Sequence, residues 1–233
     1  MSTARYDGIA DWYDAFARGE VSGWTKAAER LIVELLGPGR GRCLDLGCGT
    51  GVFVPALANQ GWTVVGVELS ADQLRVARSK VAGLAEDFVQ ADARELPFDA
   101  GSFDAVVAAL VDTDIDRYDL ALREVARVLR PEGQFVHVGL HPCFVSTVAT
   151  RGAGASVKLY RGYHERRLVF DSPTFLRGAE GLRARVGAWQ VPLAWLLNAI
   201  VSAGLRIERV LESPEDPPGM LALSAVLSGR GSD

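Results

Sequence analysis

The chain has 233 residues, 48% of them apolar and 23% charged, the composition of a globular protein long enough to bury a two-sided sheet under helices. A formal net charge of −4 argues against a nucleic-acid footprint over the whole surface, and no apolar run approaches the ~18 residues that a membrane-spanning helix needs. Arg5, Asp7, Asp11 and Asp14 stand where a secretory signal would place its apolar stretch, and Cys43, Cys48 and Cys143 form neither a disulfide framework nor a zinc spacing, so a cytoplasmic location is expected.

Two helices are predicted ahead of a sheet. Over 6–18, Ile9, Trp12, Tyr13 and Phe16 recur at helical spacing, and a second amphipathic run over 24–36 is stopped by Gly37-Pro38-Gly39. Strand-length apolar segments at 42–46, 63–68, 87–91, 103–108 and 134–140 then alternate with helical patterns near 52–60, 71–82 and 119–129. That alternation predicts right-handed βαβ units, a parallel sheet with helices on both faces, and a ligand site at the carboxyl ends of the strands. The rhythm breaks over 141–190, where Gly152, Gly154, Gly162, Gly178 and Gly181 lie among scattered aromatics, and this segment is read as an insert over the cleft. Between Arg151 and Gln190 it carries seven arginines and one lysine against three carboxylates, a basic insert on an acidic body. A helix near 193–203 and strands near 205–211 and 221–227 finish the pattern, the short link between these strands predicting an antiparallel pair. The expected fold is α/β, a Rossmann-like seven-stranded, mostly parallel sheet with an antiparallel final strand. Its divisions are N-terminal helices over 1–36 capping the site, a core over 37–140, a helical or irregular insert over 141–190 forming the second half of the pocket, and the end of the sheet over 191–233.

The sharpest motif is Cys43-Leu44-Asp45-Leu46-Gly47-Cys48-Gly49-Thr50-Gly51, a strand running through alternate glycines into a helix. Glycines there permit tight turning and close backbone approach to a ligand. A dinucleotide fingerprint would want glycine or alanine where Val52 stands, and the Gly-Lys-Ser/Thr of a phosphate loop is missing. No Lys or Arg occurs between Cys43 and Gln60, and Asp45 would repel a pyrophosphate but attract an ammonium. The loop suits a ligand without phosphates, such as S-adenosylmethionine. At the end of the second strand Glu68 is placed to accept bonds from both ribose hydroxyls, and Asp92, after the third, to accept from the adenine amino group or to cap its own turn.

Leu44-Asp45-Leu46-Gly47-Cys48-Gly49-Thr50-Gly51, Glu68, Asp92, Leu96-Pro97-Phe98, Ser102-Phe103-Asp104 and Arg127-Val128-Leu129-Arg130-Pro131-Glu132-Gly133 resemble the successive motifs of class I S-adenosylmethionine-dependent methyltransferases, of a type 11-like small-molecule kind. The last motif usually reads Arg-Val-Leu-Lys-Pro-Gly-Gly, so Arg130 and Glu132 depart from it. The resemblance is strong over 40–140 and weaker from Val191 onward. It implies the cofactor S-adenosylmethionine and the product S-adenosylhomocysteine. Gly47, Gly49 and Gly51, with Asp45 and Cys48, would surround the methionine portion. Glu68 and Leu69 would lie at the ribose, Asp92 and Ala93 near adenine, and the backbone of Ala109 and Leu110 at the methionine amine. Tyr6 and Tyr13 are candidates for an N-terminal helix closing over the cofactor, or else belong to an aromatic core stripe.

His141, just past the fifth strand, is the candidate catalytic residue, either a general base for the acceptor or the group that fixes the first turn of the insert. His137 is expected to face a helix and His164 the surface of the insert. Asp112, Asp114 and Asp116 are read as caps and solvated loop, so no metal site is expected. The arginines of the insert are read as solvated rather than substrate-facing. The expected partner is a small-molecule methyl acceptor offering O, N or C. Nucleic acid is disfavoured because Leu110-Val111-Asp112-Thr113 stands where an Asn/Asp-Pro-Pro-Tyr-like motif would be needed; no membrane partner is expected, and a homodimer is allowed. Two other classes stay open: a protein that binds S-adenosylmethionine without turnover, and a nicotinamide-dependent oxidoreductase. The short-chain form of the latter needs Tyr-x-x-x-Lys, and no tyrosine here has a lysine four residues later.

Overall fold

Residues alternate along the central strands between two apolar faces, and each face recruits its own helices. The computed structural model describes residues 4–81, 83–153, 155–176 and 180–228. In chain order the elements are α1 (Ala10–Arg18), α2 (Ser22–Leu36), β1 (Arg42–Leu46), α3 (Val54–Asn59), β2 (Thr63–Glu68), α4 (Ala71–Val81), β3 (Ala85–Gln90), β4 (Phe103–Ala109), α5 (Tyr118–Val128) and β5 (Leu129–Leu140). The insert follows with β6 (Ala149–Arg151), β7 (Val157–Leu159), β8 (Leu168–Val169), α6 (Leu182–Val186) and β9 (Ala188–Trp189), before α7 (Leu193–Ser202), β10 (Leu205–Glu212) and β11 (Met220–Leu227). Ala82, predicted as the last residue of α4, and Gly154 and Gly178 of the insert lie outside the described residues.

The seven-stranded sheet runs β10-β11-β5-β4-β1-β2-β3, with β1 to β5 mutually parallel and β11 antiparallel to both β5 and β10. Leu44, Leu46, Val65, Val67, Val106 and Ala108 face α5 and α7, whereas Cys43, Val64, Ala105 and Val107 face α2, α3 and α4. This two-sided burial is why the strands read as near-continuous apolar runs. His137 meets a helix as expected: its Nδ1 lies 3.1 Å from the Tyr118 hydroxyl of α5, and burial pushes its pKa down to about 4.

Two departures from expectation have local causes. The fifth strand begins at Leu129 rather than near 134, because Leu129 pairs with Phe103 as soon as α5 ends and the ladder resumes at Ala105 and Gln134. Between those points Glu132 sits at φ 60°, in the left-handed region, at the position where the family usually has glycine. The insert, expected to be helical or irregular, instead forms two small antiparallel ribbons, β6–β7 and β8–β9, with one short helix between β8 and β9. Among the described residues no helix is long and apolar enough to cross a membrane.

Candidate cofactor and active site

At the end of β1 the chain turns through Gly47, Gly49 and Gly51, with φ of 70°, 54° and 73°. A Cβ at Gly47 would stand 2.6 Å from Val111 Cγ1, so a side chain there would be both strained and in collision. The Gly47 and Cys48 amides donate to the Val67 carbonyl at 2.8 and 2.9 Å, pinning the loop to β2. The next residue, Glu68, takes up two further amides: Oε2 accepts from Gly49 N–H at 3.2 Å and Oε1 from Ser70 N–H at 2.9 Å. Burial raises the Glu68 pKa, and these backbone bonds pull it back down. Asp45 lies buried beneath the loop, pushed up to about 7 by burial first and by Glu68 second, with Oδ2 left without a partner.

The loop opens on a cavity of about 330 Å³ at the carboxyl ends of the strands, within the size range of small-molecule sites. Of the predicted cofactor positions, Tyr6, Tyr13, Gly47, Cys48, Gly49, Glu68, Leu69, Asp92, Ala93, Ala109 and Leu110 line it. Gly51 does not: a Cβ there would meet Val81 Cγ2 at 2.6 Å, so its bare backbone lets α4 close on the loop. Asp45 does not line it either and lies buried beneath the loop. Asp92 lines the wall, but its oxygens are already held by Arg94, Oδ1 by Nε at 2.9 Å and Oδ2 by Nη2 at 2.6 Å, which keeps its carboxyl below the usual range. Leu110 adopts φ 61°, a left-handed outlier for a branched side chain, and sits in the wall with its N–H donated to the Val138 carbonyl at 2.7 Å.

The opposite wall is assembled around Asp114. Its Oδ1 accepts from the Tyr6 hydroxyl at 3.1 Å and from Arg183 Nη1 at 2.5 Å, while Arg183 Nη2 donates to Thr113 Oγ1 at 3.0 Å. Arg5 donates to the main-chain carbonyls of Asp114 and Val186. Burial opposes the Arg183 charge, but Asp114 outweighs it and holds the guanidinium pKa above its ordinary value. The N-terminal segment, the β4–α5 loop and the insert therefore meet at one carboxylate. Tyr13 packs edge-on against Tyr6 at 5.2 Å, and burial, then Asp114, pushes its phenol up to about 12. The insert brings Leu168 and Trp189 to the cavity, with Trp189 N–H donating to the Thr113 carbonyl at 2.7 Å.

The solvated reading of the insert's arginines therefore needs correction. Arg183 is buried in the Asp114 latch, Arg166 stacks on Trp195 at 3.8 Å and Arg185 on Trp12 at 4.5 Å. Arg161, Arg167 and Arg185 lie on the exposed surface, Arg185 over the Trp12 ring, so the solvated reading holds for these three. Asp112 likewise departs from a solvated loop: it is 2% exposed and pushed up to about 7 by burial, then by Asp114. Among the described residues no group of three His, Cys, Asp or Glu is disposed to hold a metal ion.

His141 does not line the cavity. Its Nδ1 accepts from Cys143 N–H at 3.2 Å, which leaves Nε2 to donate to Glu212 Oε1 at 2.8 Å, and its ring lies 4.4 Å from that of Phe144. Both nitrogens are thus engaged in joining the first turn of the insert to β10. Sequence reasoning missed Gln73, which lines the cavity at 1% exposure with neither amide atom hydrogen-bonded.

These residues fit a cationic nucleoside better than a diphosphate. Glu68, Asp92, Asp114 and Asp116 supply four carboxylates to the wall, and among the described residues the cations at or beside it, Arg5, Arg94 and Arg183, are committed to carbonyls, to Asp92 and to Asp114. Fold and site together define an α/β sheet with a glycine-loop nucleoside site of the methyltransferase kind. The model of the "Methyltransferase domain" family matches residues 44–137. The chain is 35% identical over 170 residues to the demethylmenaquinone methyltransferase of Thermus thermophilus, covering 70% of this chain and 72% of that one. It is 36% identical over 139 residues to the demethylmenaquinone methyltransferase of Clavibacter sepedonicus, covering 58% and 56%. A solved S-adenosylmethionine dependent methyltransferase from Mesorhizobium loti superposes with a TM-score of 0.69 at 25% identity, over 85% of this chain and 97% of that one. The chain belongs to the class I S-adenosylmethionine-dependent methyltransferase family. It spans about half to three-fifths of the length of most curated relatives it matches.

Proposed function

We propose that this chain methylates an oxygen, nitrogen or carbon atom of a small-molecule acceptor with S-adenosylmethionine, releasing S-adenosylhomocysteine. The observation that carries the reading is the half-buried Glu68 carboxylate, held by two backbone amides at the lip of a glycine loop that has no lysine or arginine, above Asp45 with its unpartnered Oδ2. When bound, S-adenosylmethionine supplies a methyl group on a positively charged sulfur, so the protein's task is alignment and exclusion of water. Glu68 accepts from the ribose, and Gly47 and Gly49 let the backbone approach the methionine portion. Glu68 contributes negative charge beside the sugar, and the Tyr6 and Tyr13 phenols, both with raised pKa, stay neutral and cover the site.

In this reading residues 1–36 cap the cofactor, 37–140 bind it, 141–190 furnish the acceptor side, and 191–233 complete the sheet. His141 holds the first turn of the insert and takes no proton, in keeping with its two engaged nitrogens. The protein acts in the cytoplasm on a small molecule, without nucleic acid or membrane. Relatives named for demethylmenaquinone support that class of acceptor. The test is S-adenosylhomocysteine formation across a panel of phenols, amines, carboxylates and quinol precursors. Turnover of at least one, lost in Glu68→Ala, is expected; binding without product from any acceptor would leave a sensor of the cofactor instead.

A further inference from the structure

The cofactor cavity has a neighbour of opposite charge. Trp189 and Asp116 line both that cavity and a second, open groove between α5 and α7. Trp189 is fixed at this boundary by its N–H, donated to the Thr113 carbonyl at 2.7 Å. The cavity wall carries four carboxylates, whereas the groove is lined by Arg117, Arg123 and Arg166 against Asp116 and Asp119. Arg117 is neutralised by Asp119, Nε donating to Oδ1 at 3.0 Å and Nη2 to Oδ2 at 2.9 Å. Among the described residues neither Arg123 nor Arg166 has a carboxylate at ion-pairing distance, so two unpaired cations face the one carboxylate of Asp116.

Of the two, Arg166 is held in place. Its guanidinium carbon lies 3.8 Å from the centroid of the Trp195 ring and 5.9 Å from that of Trp189, and Nη1 donates to the Gln190 carbonyl at 2.9 Å. Rings and carbonyl orient the group, yet that bond is the one hydrogen bond it makes among the described residues, and a guanidinium carries five N–H donors. Burial lowers the Arg166 pKa, and the more distant Asp112, Asp116 and Asp119 do not offset it. A half-buried, oriented cation without a counterion favours an anion brought by a ligand. A carboxylate matches the planar fork, accepting two parallel N–H bonds. Arg123 is exposed and adds charge to the groove, and Asn198 adds an amide from α7.

We propose that the methyl acceptor is a carboxylic acid whose carboxylate is held by Arg166 in this groove, while the atom that takes the methyl group reaches past Trp189 into the cofactor cavity. This rests on the methyltransferase reading above. Charge then sorts the two ligands. The carboxylates of the cavity attract the sulfonium and repel the acid group of the acceptor, so the acceptor enters in one orientation with its anion left on Arg166.

The test is calorimetric titration of the chain saturated with S-adenosylhomocysteine, using 4-hydroxybenzoate, indole-3-acetate and octanoate, each beside its neutral amide. The wild type is compared with Arg166→Met, Arg166→Lys and, as an exposed control, Arg161→Met. At least one acid should bind the wild type about tenfold more tightly than its amide. Arg166→Met should erase that preference, Arg166→Lys should keep part of it through charge without the fork, and Arg161→Met should leave it whole. A preference that survives in Arg166→Met would overturn the proposal. So would a wild type in which no acid outbinds its amide, a comparison that needs no variant to fold; Arg166 would then serve only to pack the insert on α7. Uptake of S-adenosylhomocysteine without an acid preference sinks this proposal alone, whereas a wild type that takes up no S-adenosylhomocysteine sinks the methyltransferase reading and the proposal with it.

Discussion

The glycine-loop wall of the cavity and the wall around Asp114 are built by different means. The first is made of backbone and near neighbours: the Gly47 and Cys48 amides on Val67, and the Gly49 and Ser70 amides on Glu68. The second is latched by side chains from distant segments, with Tyr6 and Arg183 meeting on Asp114 and Arg5 tying Asp114 to Val186. A wall of backbone bonds at strand ends is rigid and preorganised. A wall of side-chain contacts can be retuned, or opened, without disturbing the sheet.

The contrast breaks first at Glu68. Glu68→Ala removes a half-buried acceptor from two loop amides and from the ribose, so affinity for S-adenosylhomocysteine should drop about a hundredfold by calorimetry. A loss of threefold or less would mean that the loop holds its shape without the carboxylate. On the other wall, Arg183→Met removes a buried partner of Asp114 and should destabilise the chain by about 2 kcal/mol. Hydrogen exchange should quicken in the insert and the N-terminal segment while β1, β2 and β4 stay protected. Uniform quickening across the sheet would show that the two walls are not separable.

Acidity offers a third probe. Burial raises the carboxyl pKa of Asp45 and of Asp112 to about 7 in the folded chain, against 3.8 as the ordinary value. The folded state then holds protons that the unfolded state has released. Their contribution to stability is present below the ordinary value and is lost as pH rises through about 7. The ligand-free chain should therefore lose about 2–3 kcal/mol per group between pH 5 and pH 8 in urea unfolding, and Asp45→Asn should flatten part of that slope. A rise in stability over the same range that Asp45→Asn leaves untouched would contradict the buried placement.

Two smaller effects complete the series. Glu132→Gly should stabilise the chain by about 1 kcal/mol, read as a higher melting temperature, because φ 60° strains any residue with a Cβ. His141→Ala should leave turnover at saturating acceptor within about threefold while lowering the melting temperature; a loss of activity without loss of stability would restore it as a base.

What could be read from sequence followed the same division. The bounds of β1 and β2, the glycine turn and Glu68 all depend on residues close in the chain, where apolar runs and glycine spacing carry the information. The Asp114 latch could not be read, because Arg183 is 69 residues away and nothing near either residue encodes the meeting. Asp112 looked solvated because two more aspartates follow it, yet it is 2% exposed and packs against the bare backbone of Gly139 in β5. His141 suited catalysis by its place after β5, but its ring is turned toward Glu212, 71 residues on. Gln73 left a trace, the Ser70-x-x-Gln73 cap signature, which becomes informative only once Glu68 is seen to have taken the Ser70 amide. The start of β5 escaped prediction because a left-handed glutamate, rather than a glycine, makes the bulge.

The central claim is that the crevice from Gly47 to Glu68 receives a positively charged nucleoside and refuses a diphosphate. Calorimetric titration of the purified chain with S-adenosylmethionine and, separately, with a nicotinamide dinucleotide tests it most directly. Saturable one-to-one binding of the first with no heat from the second is the predicted result; uptake of the dinucleotide alone would contradict the account.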